Sequence, residues 1–369
     1  MWLSRLSLHN YRNYLQLELD LQPGLNLFIG SNAQGKTNLL EACHVLATAR
    51  SHRTSREMEM IRWEQQSFHI GAIIHTRHGT RHLDLRYDAH KSKQVQIDGV
   101  RMPRLFDLIG QLNVVFFAPE HLALVKADPS QRRRFIDILL SQLYHKYLYQ
   151  LSQYQKLLRS KSELLKTATP DLELLQVFNI QLAELGAAII LRRIMAVQTL
   201  NSLAARYHLE LHPEEHLQLS YQNQLADYNN NNIREDKIAS DLLALFAQKQ
   251  SDELRRRICL VGPHRDDILF SLNGEDARKF ASQGQQRSIV LALKVAEAHF
   301  MDQISGERPL LILDDLFSEL DPERQLRLIN LLQNFGQTLI SAVQLPSLFH
   351  TQEKSIFQVK EGRVNRLSY

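Results

Sequence analysis

The chain has 369 residues and a formal net charge of +4, and its 44% hydrophobic and 23% charged residues are typical of an ordinary globular protein. Its length predicts two lobes, and its pI near 9.0 permits a nucleic-acid partner without requiring one. Two cysteines and scattered histidines exclude a disulfide framework and a Cys/His metal cluster. No apolar signal core and no apolar run long enough for a membrane are visible, so we expect a cytoplasmic protein without a membrane partner.

The first strands are predicted near the N-terminus. Residues 3–8 and 15–21 alternate apolar and polar side chains, as half-buried strands do. Residues 25–29 are mostly apolar and predict a short buried strand. After residue 37 apolar residues recur at helical spacing, and Cys43 lies on the apolar face of that helix. The order is therefore strand, loop, helix.

The loop in this unit, GSNAQGKT, fits the P-loop pattern G-x-x-x-x-G-K-[ST]. Its two glycines allow a tight curl whose N–H groups point at a polyphosphate beside the positive end of the helix. The lysine is expected to reach the β and γ phosphates, and the threonine hydroxyl to bind Mg²⁺. We therefore predict that the loop binds ATP or GTP. The predicted nucleotide-binding residues are Gly30, Ser31, Asn32, Ala33, Gln34, Gly35, Lys36 and Thr37, with Thr37 also a metal ligand.

Further strands follow the P-loop helix. The stretches at residues 68–76, 81–88 and 93–99 predict successive antiparallel strands, the last of which ends in an Asp-Gly turn. The stretch "LNVVFFAP" predicts another buried strand, which Pro119 ends.

The sequence becomes mostly helical at about residue 129. A long apolar stripe, a break near "TATPD" and an exposed loop tip at "DYNNNNIRED" are expected there. The stripe permits a coiled coil or a compact bundle, and its length favours the bundle. We predict an ATPase lobe of residues 1–128 plus 258–369 and an inserted helical lobe of residues 129–257. The stripe consists of Leu139, Leu140, Leu143, Tyr147 and Leu151.

The stretch "PLLILDDLFSELD" predicts the second half of the nucleotide site. Leu310–Leu313 form an apolar strand typical of a parallel sheet, and Asp314 and Asp315 follow at its carboxyl end, where such sheets bind ligands. We expect Asp314 to hold Mg²⁺ through water and Asp315 to polarise the attacking water. Together with Lys36, these two aspartates are the predicted catalytic residues.

The stretch "SQGQQRSIVLALKVAEAHF" predicts a second anion site. Ser282 is a suitable N-cap, Gly284 leaves the backbone bare, and an amphipathic helix follows. A helix N-terminus of this kind attracts anions. Alone it indicates only a capped helix, but its place before "LLILDD" gives it more weight.

The order of these motifs resembles that of the ABC-type ATPases of the SMC branch. With "FIGSNAQGKTNLLEA", "DPSQRRRFID", "GPHRDD", "SQGQQR" and "DDLFSELD", the chain closely resembles the RecF family of bacterial recombination proteins over nearly its whole length. The resemblance implies an α/β fold, an ABC/SMC-like P-loop ATPase head with an inserted, mainly helical lobe.

In that family two subunits sandwich ATP between them. The resemblance implies that Ser282 and Gly284, helped by Gln285, contact the γ phosphate bound by the other subunit, and that the stretch ending at Asp321 lies at the dimer seam. ATP would then favour the homodimer, and hydrolysis would release it.

Two positions depart from the ABC pattern. Asp315 stands where most ABC proteins carry Glu, from which we expect slow turnover. The histidine that follows the corresponding strand in many ABC proteins is missing from "TLISAVQLP", so we assign no catalytic role to Ser341 or Gln344 there. Glu120 is placed only in the region of the ABC Q-loop.

The resemblance also implies a function in recombinational repair and replication-fork maintenance. It implies binding to single-stranded, linear duplex, gapped or junction DNA, help to RecO and RecR in loading recombinase, and slow, DNA-stimulated ATP hydrolysis. Arginines 132–134, or Arg50, Arg53 and Arg56, could neutralise DNA phosphates or simply form solvated charged faces, and part of the 132–134 run could instead contact nucleotide or brace the lobes. The alternatives are the ATPase subunit of an ABC transporter and a structural DNA clamp that never hydrolyses ATP.

Overall fold

A computed structural model describes residues 1–225, 234–332, 335–344 and 354–367. The chain divides into two compact units, of which unit 1 contains Met1–Ala123 and Gln286–Tyr369 and unit 2 contains Leu124–Gln285. In these ranges the strands are β1 (Trp2–Tyr11), β2 (Tyr14–Asp20), β3 (Leu25–Ile29), β4 (Ser67–Thr76), β5 (Gly79–Asp88), β6 (Lys91–Ile97), β7 (Val100–Arg101), β8 (Val114–Phe117), β9 (Leu217–Gln222), β10 (Asp267–Leu272), β11 (Glu275–Asp276), β12 (Leu310–Leu313), β13 (Thr338–Ala342), β14 (Lys354–Lys360) and β15 (Arg363–Leu367). The helices are α1 (Lys36–Thr48), α2 (Pro129–Leu143), α3 (His145–Lys166), α4 (Leu172–Leu211), α5 (Glu235–Arg256), α6 (Ala277–Phe280), α7 (Gln283–Ser305) and α8 (Pro322–Leu332).

Unit 1 contains two six-stranded sheets. One is antiparallel, in the order β2-β1-β4-β5-β6-β7, and includes the strands predicted from alternating residues. The Asp-Gly turn between β6 and β7 has positive φ at both residues, 52° at Asp98 and 78° at Gly99, as a two-residue hairpin requires.

The second sheet positions the site. Its order is β15-β14-β3-β13-β12-β8, and its strands are parallel except for β15. The P-loop follows β3 and the aspartate pair follows β12, while β13 lies between these two strands. Because carboxyl ends of parallel strands share one edge of a sheet, the two motifs meet there.

One hydrophobic core joins both sheets to α1. It contains residues such as Leu6, Ile70, Leu46 and Ile312, all fully buried. Cys43 is also fully buried in this core, which confirms its role as a small apolar residue.

Unit 2 packs its long helices on one another and carries the sheet β11-β10-β9. The residues of the predicted apolar stripe, Leu139 to Leu151, are divided between two helices, because Tyr144 adopts an extended conformation and separates α2 from α3. Strand β9 was not predicted. It pairs antiparallel with β10, so the chain beyond residue 257 remains in unit 2 as far as Gln285. Most of the predicted loop tip at residues 227–236 lies outside the described residues.

Helix α4 is long and apolar enough, by length and composition alone, to cross a membrane, which corrects the expectation that the chain has no such run. Half of its most apolar window is buried inside the protein. Ala183, Ile190 and Val197 are buried along it, as in the core helix of a helical bundle.

Candidate functional site

The P-loop adopts backbone conformations that its glycines make possible. A Cβ at Gly30 would lie 2.3 Å from the Val359 carbonyl oxygen, and one at Gly35 would lie 2.5 Å from Asn13 Nδ2. Gly35 has φ 115°, which is unfavourable for residues with a side chain. The loop therefore curls with the Val359 backbone packed against Gly30 and the Asn13 side chain against Gly35, where a larger residue would not fit.

Lys36 is held against this loop. Its side chain is 6% exposed, and Nζ donates to the carbonyl oxygens of Gly30 at 2.6 Å and Ser31 at 2.8 Å. Burial lowers the pKa of Lys36, and Asp315 and Asp314 partly offset this effect. A desolvated ammonium group beside a curled backbone suits an anionic ligand such as a polyphosphate.

Asp314 is tied to the P-loop by a shared hydrogen-bond acceptor. Its Oδ1 accepts from Thr37 Oγ1 at 3.1 Å and from Ser341 Oγ at 2.7 Å. Burial raises the pKa of this carboxyl although both hydroxyls stabilise its charge, and Asp315 and Glu120 raise it further. A cation beside Asp314 would relieve this cost, and hydroxyl and carboxylate oxygens are ligands that Mg²⁺ accepts.

Ser341 also positions Asp315. The Asp315 N–H donates to Ser341 Oγ at 2.9 Å, while the hydroxyl donates to Asp314. Asp315 itself has φ 46°, in the left-handed region that Asp tolerates better than most residues with a side chain. Ser341 thus orients both aspartates, a role that the sequence did not reveal because no motif marks it.

Two turns brace the P-loop at Gln34. Asn13, between β1 and β2, donates from Nδ2 to the Gln34 carbonyl oxygen at 3.1 Å. In the turn between β14 and β15, the Glu361 N–H donates to Gln34 Oε1 at 2.8 Å and the Gly362 N–H to the Gln34 carbonyl oxygen at 3.2 Å. The Gln34 side chain therefore holds the loop in place. These braces were also missed, since they come from distant sequence positions.

The predicted second anion site belongs to unit 2. Ser282 Oγ accepts from the Gln285 N–H at 3.2 Å, and Gln285 Oε1 accepts from the Ser282 N–H at 2.8 Å. This reciprocal pair is a capping box, which confirms Ser282 as the N-cap of α7. Ser282 is exposed and Gly284 is half-buried beside it.

Two other predicted positions lie in unit 1. Asp321 caps α8, accepting from the Arg324 N–H at 2.9 Å. Glu120 is exposed after β8, and its charge contributes to raising the pKa of Asp314, so it lies near the aspartate pair.

The first arginine cluster is mostly structural. Arg132 is 2% exposed and donates to both Asp267 carboxylate oxygens, at 2.7 and 2.8 Å. Arg133 donates to the Asp266 carbonyl oxygen at 2.6 Å. The "RRR" and "GPHRDD" stretches therefore bind each other within unit 2, and Arg132 is not a DNA contact.

The second cluster is more open. Arg53 donates to Asn38 Oδ1 at 2.9 Å, and Arg56 is 84% exposed beside Glu59.

Among the described residues, no group of three His, Cys, Asp or Glu side chains could hold a metal ion. A cation at Thr37 and Asp314 therefore needs phosphate or water oxygens to complete its shell.

Comparisons with known proteins agree with this geometry. The RecF/RecN/SMC N-terminal domain family matches residues 2–365. The chain is 43% identical to the DNA replication and repair protein RecF of Symbiobacterium thermophilum, over 99% of this chain and 98% of that protein. It is 39% identical to the protein of the same name from Enterococcus faecalis, over the full length of both.

Solved structures give the same picture. A structure of the recombination mediator protein RecF with ATP, from the RecFOR pathway, superposes with a TM-score of 0.92 at 30% identity, covering 100% of this chain and 98% of that one. An SMC head bound to the winged-helix domain of ScpA has a TM-score of 0.59 at 15% identity over 100% of this chain and 98% of that one, a likeness of fold alone. These relatives do not favour an ABC transporter subunit.

Proposed function

The chain belongs to the RecF/RecN/SMC N-terminal domain family and, within it, to the RecF proteins of DNA replication and repair, and we propose that it is an ATP-dependent DNA-binding protein of recombinational repair. One observation carries this proposal. A single oxygen of Asp314 accepts from Thr37 of the P-loop and from Ser341, whose strand β13 lies between β3 and β12 in the sheet. This arrangement joins both halves of a nucleotide site on one sheet edge.

The bound nucleotide is ATP with Mg²⁺. The P-loop from Gly30 to Thr37 holds the phosphates by its N–H groups and by Lys36, and Thr37 and Asp314 hold the metal. Support comes from the buried, hydrogen-bonded placement of these side chains and from the ATP complex of a RecF relative. When bound, Mg²⁺ neutralises charge that develops on the phosphates.

ATP binding joins two copies of the chain. Ser282 and Gly284, with Gln285, contact the γ phosphate held by the other copy, and Asp321 lies near the seam. The exposed hydroxyl of Ser282 supports this assignment, because its Oγ accepts from Gln285 and leaves its own hydrogen for a phosphate oxygen.

Hydrolysis is slow and serves as a switch. Asp315 orients water, and its carboxyl is shorter by one methylene than the Glu usual in ABC proteins.

The DNA partner is gapped DNA or a junction of single and double strands, and RecO and RecR act with the protein in loading recombinase. Support comes from the family and from the RecFOR pathway of the structural relative. Contacts to phosphates rather than bases would make binding depend on salt.

One experiment tests the function. ATP turnover and molecular mass are measured with and without gapped DNA, at two salt concentrations. We expect slow turnover that DNA stimulates, and a dimer only with ATP. Turnover that ignores DNA contradicts the repair function, fast basal turnover contradicts the switch, and binding without turnover favours a structural clamp.

A further inference from the structure

The Gln285 side chain has a single favourable orientation. Its Oε1 accepts from the Ser282 N–H at 2.8 Å, and its Nε2 donates to Glu215 Oε1 at 2.9 Å. Rotating the amide by half a turn would place its oxygen against the Glu215 carboxylate and its NH₂ group against the Ser282 N–H, and both hydrogen bonds would be lost. The carboxylate therefore fixes the amide, and the amide fixes the capping box at Ser282.

Glu215 uses both carboxylate oxygens. While Oε1 accepts from Gln285, Oε2 lies 2.8 Å from Nε2 of His208, which is fully buried near the end of α4. Burial by itself raises the pKa of Glu215, but the hydrogen bonds from Gln285 and His208 outweigh it and lower that pKa. Glu215 is therefore ionised and engaged on both sides at neutral pH.

The segment that carries Glu215 is itself held in place. It connects α4 to β9, and the Glu215 N–H donates to the His212 carbonyl oxygen at 3.1 Å. Next to it, the His216 N–H donates to Asn273 Oδ1 at 2.7 Å, and the Asn273 N–H donates to the His216 carbonyl oxygen at 2.9 Å. Glu215 thus stands on a segment that is fixed at both ends.

We propose that Glu215 is a positioning residue for the ATP-dependent dimer, holding Gln285 so that the Ser282 hydroxyl is presented to a phosphate. The inference rests on the proposed function, because it needs Ser282 to meet ATP held by a second copy. In this role Glu215 would contact neither nucleotide nor metal. Its effect passes through Gln285, whereas the P-loop braces at Asn13 and Glu361 belong to unit 1.

Three variants test the proposal. Glu215→Ala removes the acceptor, Glu215→Gln keeps an oxygen that can accept from Gln285, and Glu210→Ala is the matched control on α4, where Glu210 is 42% exposed beside Arg206. The measurements are the affinity of dilute monomer for a fluorescent ATP analogue, the protein concentration at which the ATP-bound dimer forms, and hydrogen exchange over residues 282–285 and 30–37.

We expect Glu215→Ala to bind nucleotide as wild type does but to dimerise at about tenfold higher concentration, because Gln285 loses its hydrogen bond to a charged group and the capping box at Ser282 loses its support. Amides at residues 282–285 should exchange faster and those of the P-loop should not change. Glu215→Gln should recover most of the dimer, and Glu210→Ala should match wild type.

Normal dimerisation of Glu215→Ala overturns the proposal. An equal loss of dimerisation in Glu215→Gln also overturns it, as does a loss of nucleotide binding by the Glu215→Ala monomer. Either result indicates a general structural role for Glu215. If wild type itself fails to dimerise in ATP, the proposed function fails and this inference with it. Should Glu215→Ala not fold, the behaviour of Glu215→Gln decides the question.

Discussion

Lys36 and Ser282 each stand at the start of a helix with a glycine within two residues, but their surroundings differ. Lys36 is 6% exposed and its ammonium donates to two carbonyl oxygens of its own loop. Ser282 is exposed and forms a capping box whose support comes from Glu215. The first region has its polar partners within unit 1, whereas the second presents a hydroxyl outward. Under the proposed function, this difference means that a single copy binds nucleotide and that a second copy is needed to bring Ser282 to it.

The largest expected effect is the loss of nucleotide binding in Lys36→Ala. Without the ammonium group, the charge-assisted hydrogen bonds to the phosphates are lost. We expect this to cost about 3 kcal/mol of binding free energy and to raise the Kd for ATP roughly a hundredfold. Titration with a fluorescent ATP analogue measures this. Lys126→Ala, which removes an exposed lysine, should bind normally. Unchanged binding in Lys36→Ala would mean that the P-loop is not the nucleotide site.

A second comparison concerns two buried aspartates, Asp314 in unit 1 and Asp266 in unit 2, because burial raises the pKa of both. Burial raises the pKa of Asp266 to about 6, although Tyr221, Arg193 and Arg133 oppose this shift. Because the folded state then binds its proton more tightly than the unfolded state, Asp266 lowers stability as pH rises from about 4 to about 6.

Asp266→Asn should remove this pH dependence. The free energy of unfolding of the variant relative to wild type should rise by on the order of 2 kcal/mol between pH 4 and pH 7. Chemical denaturation at both pH values measures it, with Asp252→Asn as a surface control. A constant difference across this range would show that Asp266 is ionised normally.

The smallest expected effect concerns Ser341. In Ser341→Ala, Asp314 loses one hydrogen-bond donor and the Asp315 N–H loses its acceptor. We expect the free energy of unfolding to fall by about 1 kcal/mol and ATP turnover to fall about tenfold. ATP affinity should change little, since Lys36 and the loop remain. Ser355→Ala, at another buried serine of the same sheet, serves as the control. Equal turnover in the two variants would remove Ser341 from the site.

The sequence predicted the parts of the site that lie close together along the chain. A run from Gly30 to Thr37 must fold as one loop, and an apolar strand must place Asp314 and Asp315 at its end, so spacing alone predicts both. The capping box at Ser282 was predictable for the same reason, since its partners are three residues apart.

The rest depends on contacts between distant positions. Ser341 contacts Asp314 across 27 residues of sequence and Glu215 contacts Gln285 across 70, and no local pattern encodes such pairs. The break at Tyr144 was missed because apolar periodicity continues through it, and β9 because its partner β10 comes some fifty residues later. The sequence left open whether Arg132 is a DNA contact or a solvated charge, because its ion-pair partner Asp267 lies 135 residues away.

The central claim is that ATP joins two copies of this chain through Ser282. Light scattering gives the mass of wild type and Ser282→Arg, each with and without ATP, alongside nucleotide titration of the monomers. We predict that wild type doubles its mass in ATP, while Ser282→Arg binds ATP as a monomer and does not pair. A Ser282→Arg protein that pairs like wild type, or a wild type that holds ATP and stays a monomer, would contradict this account.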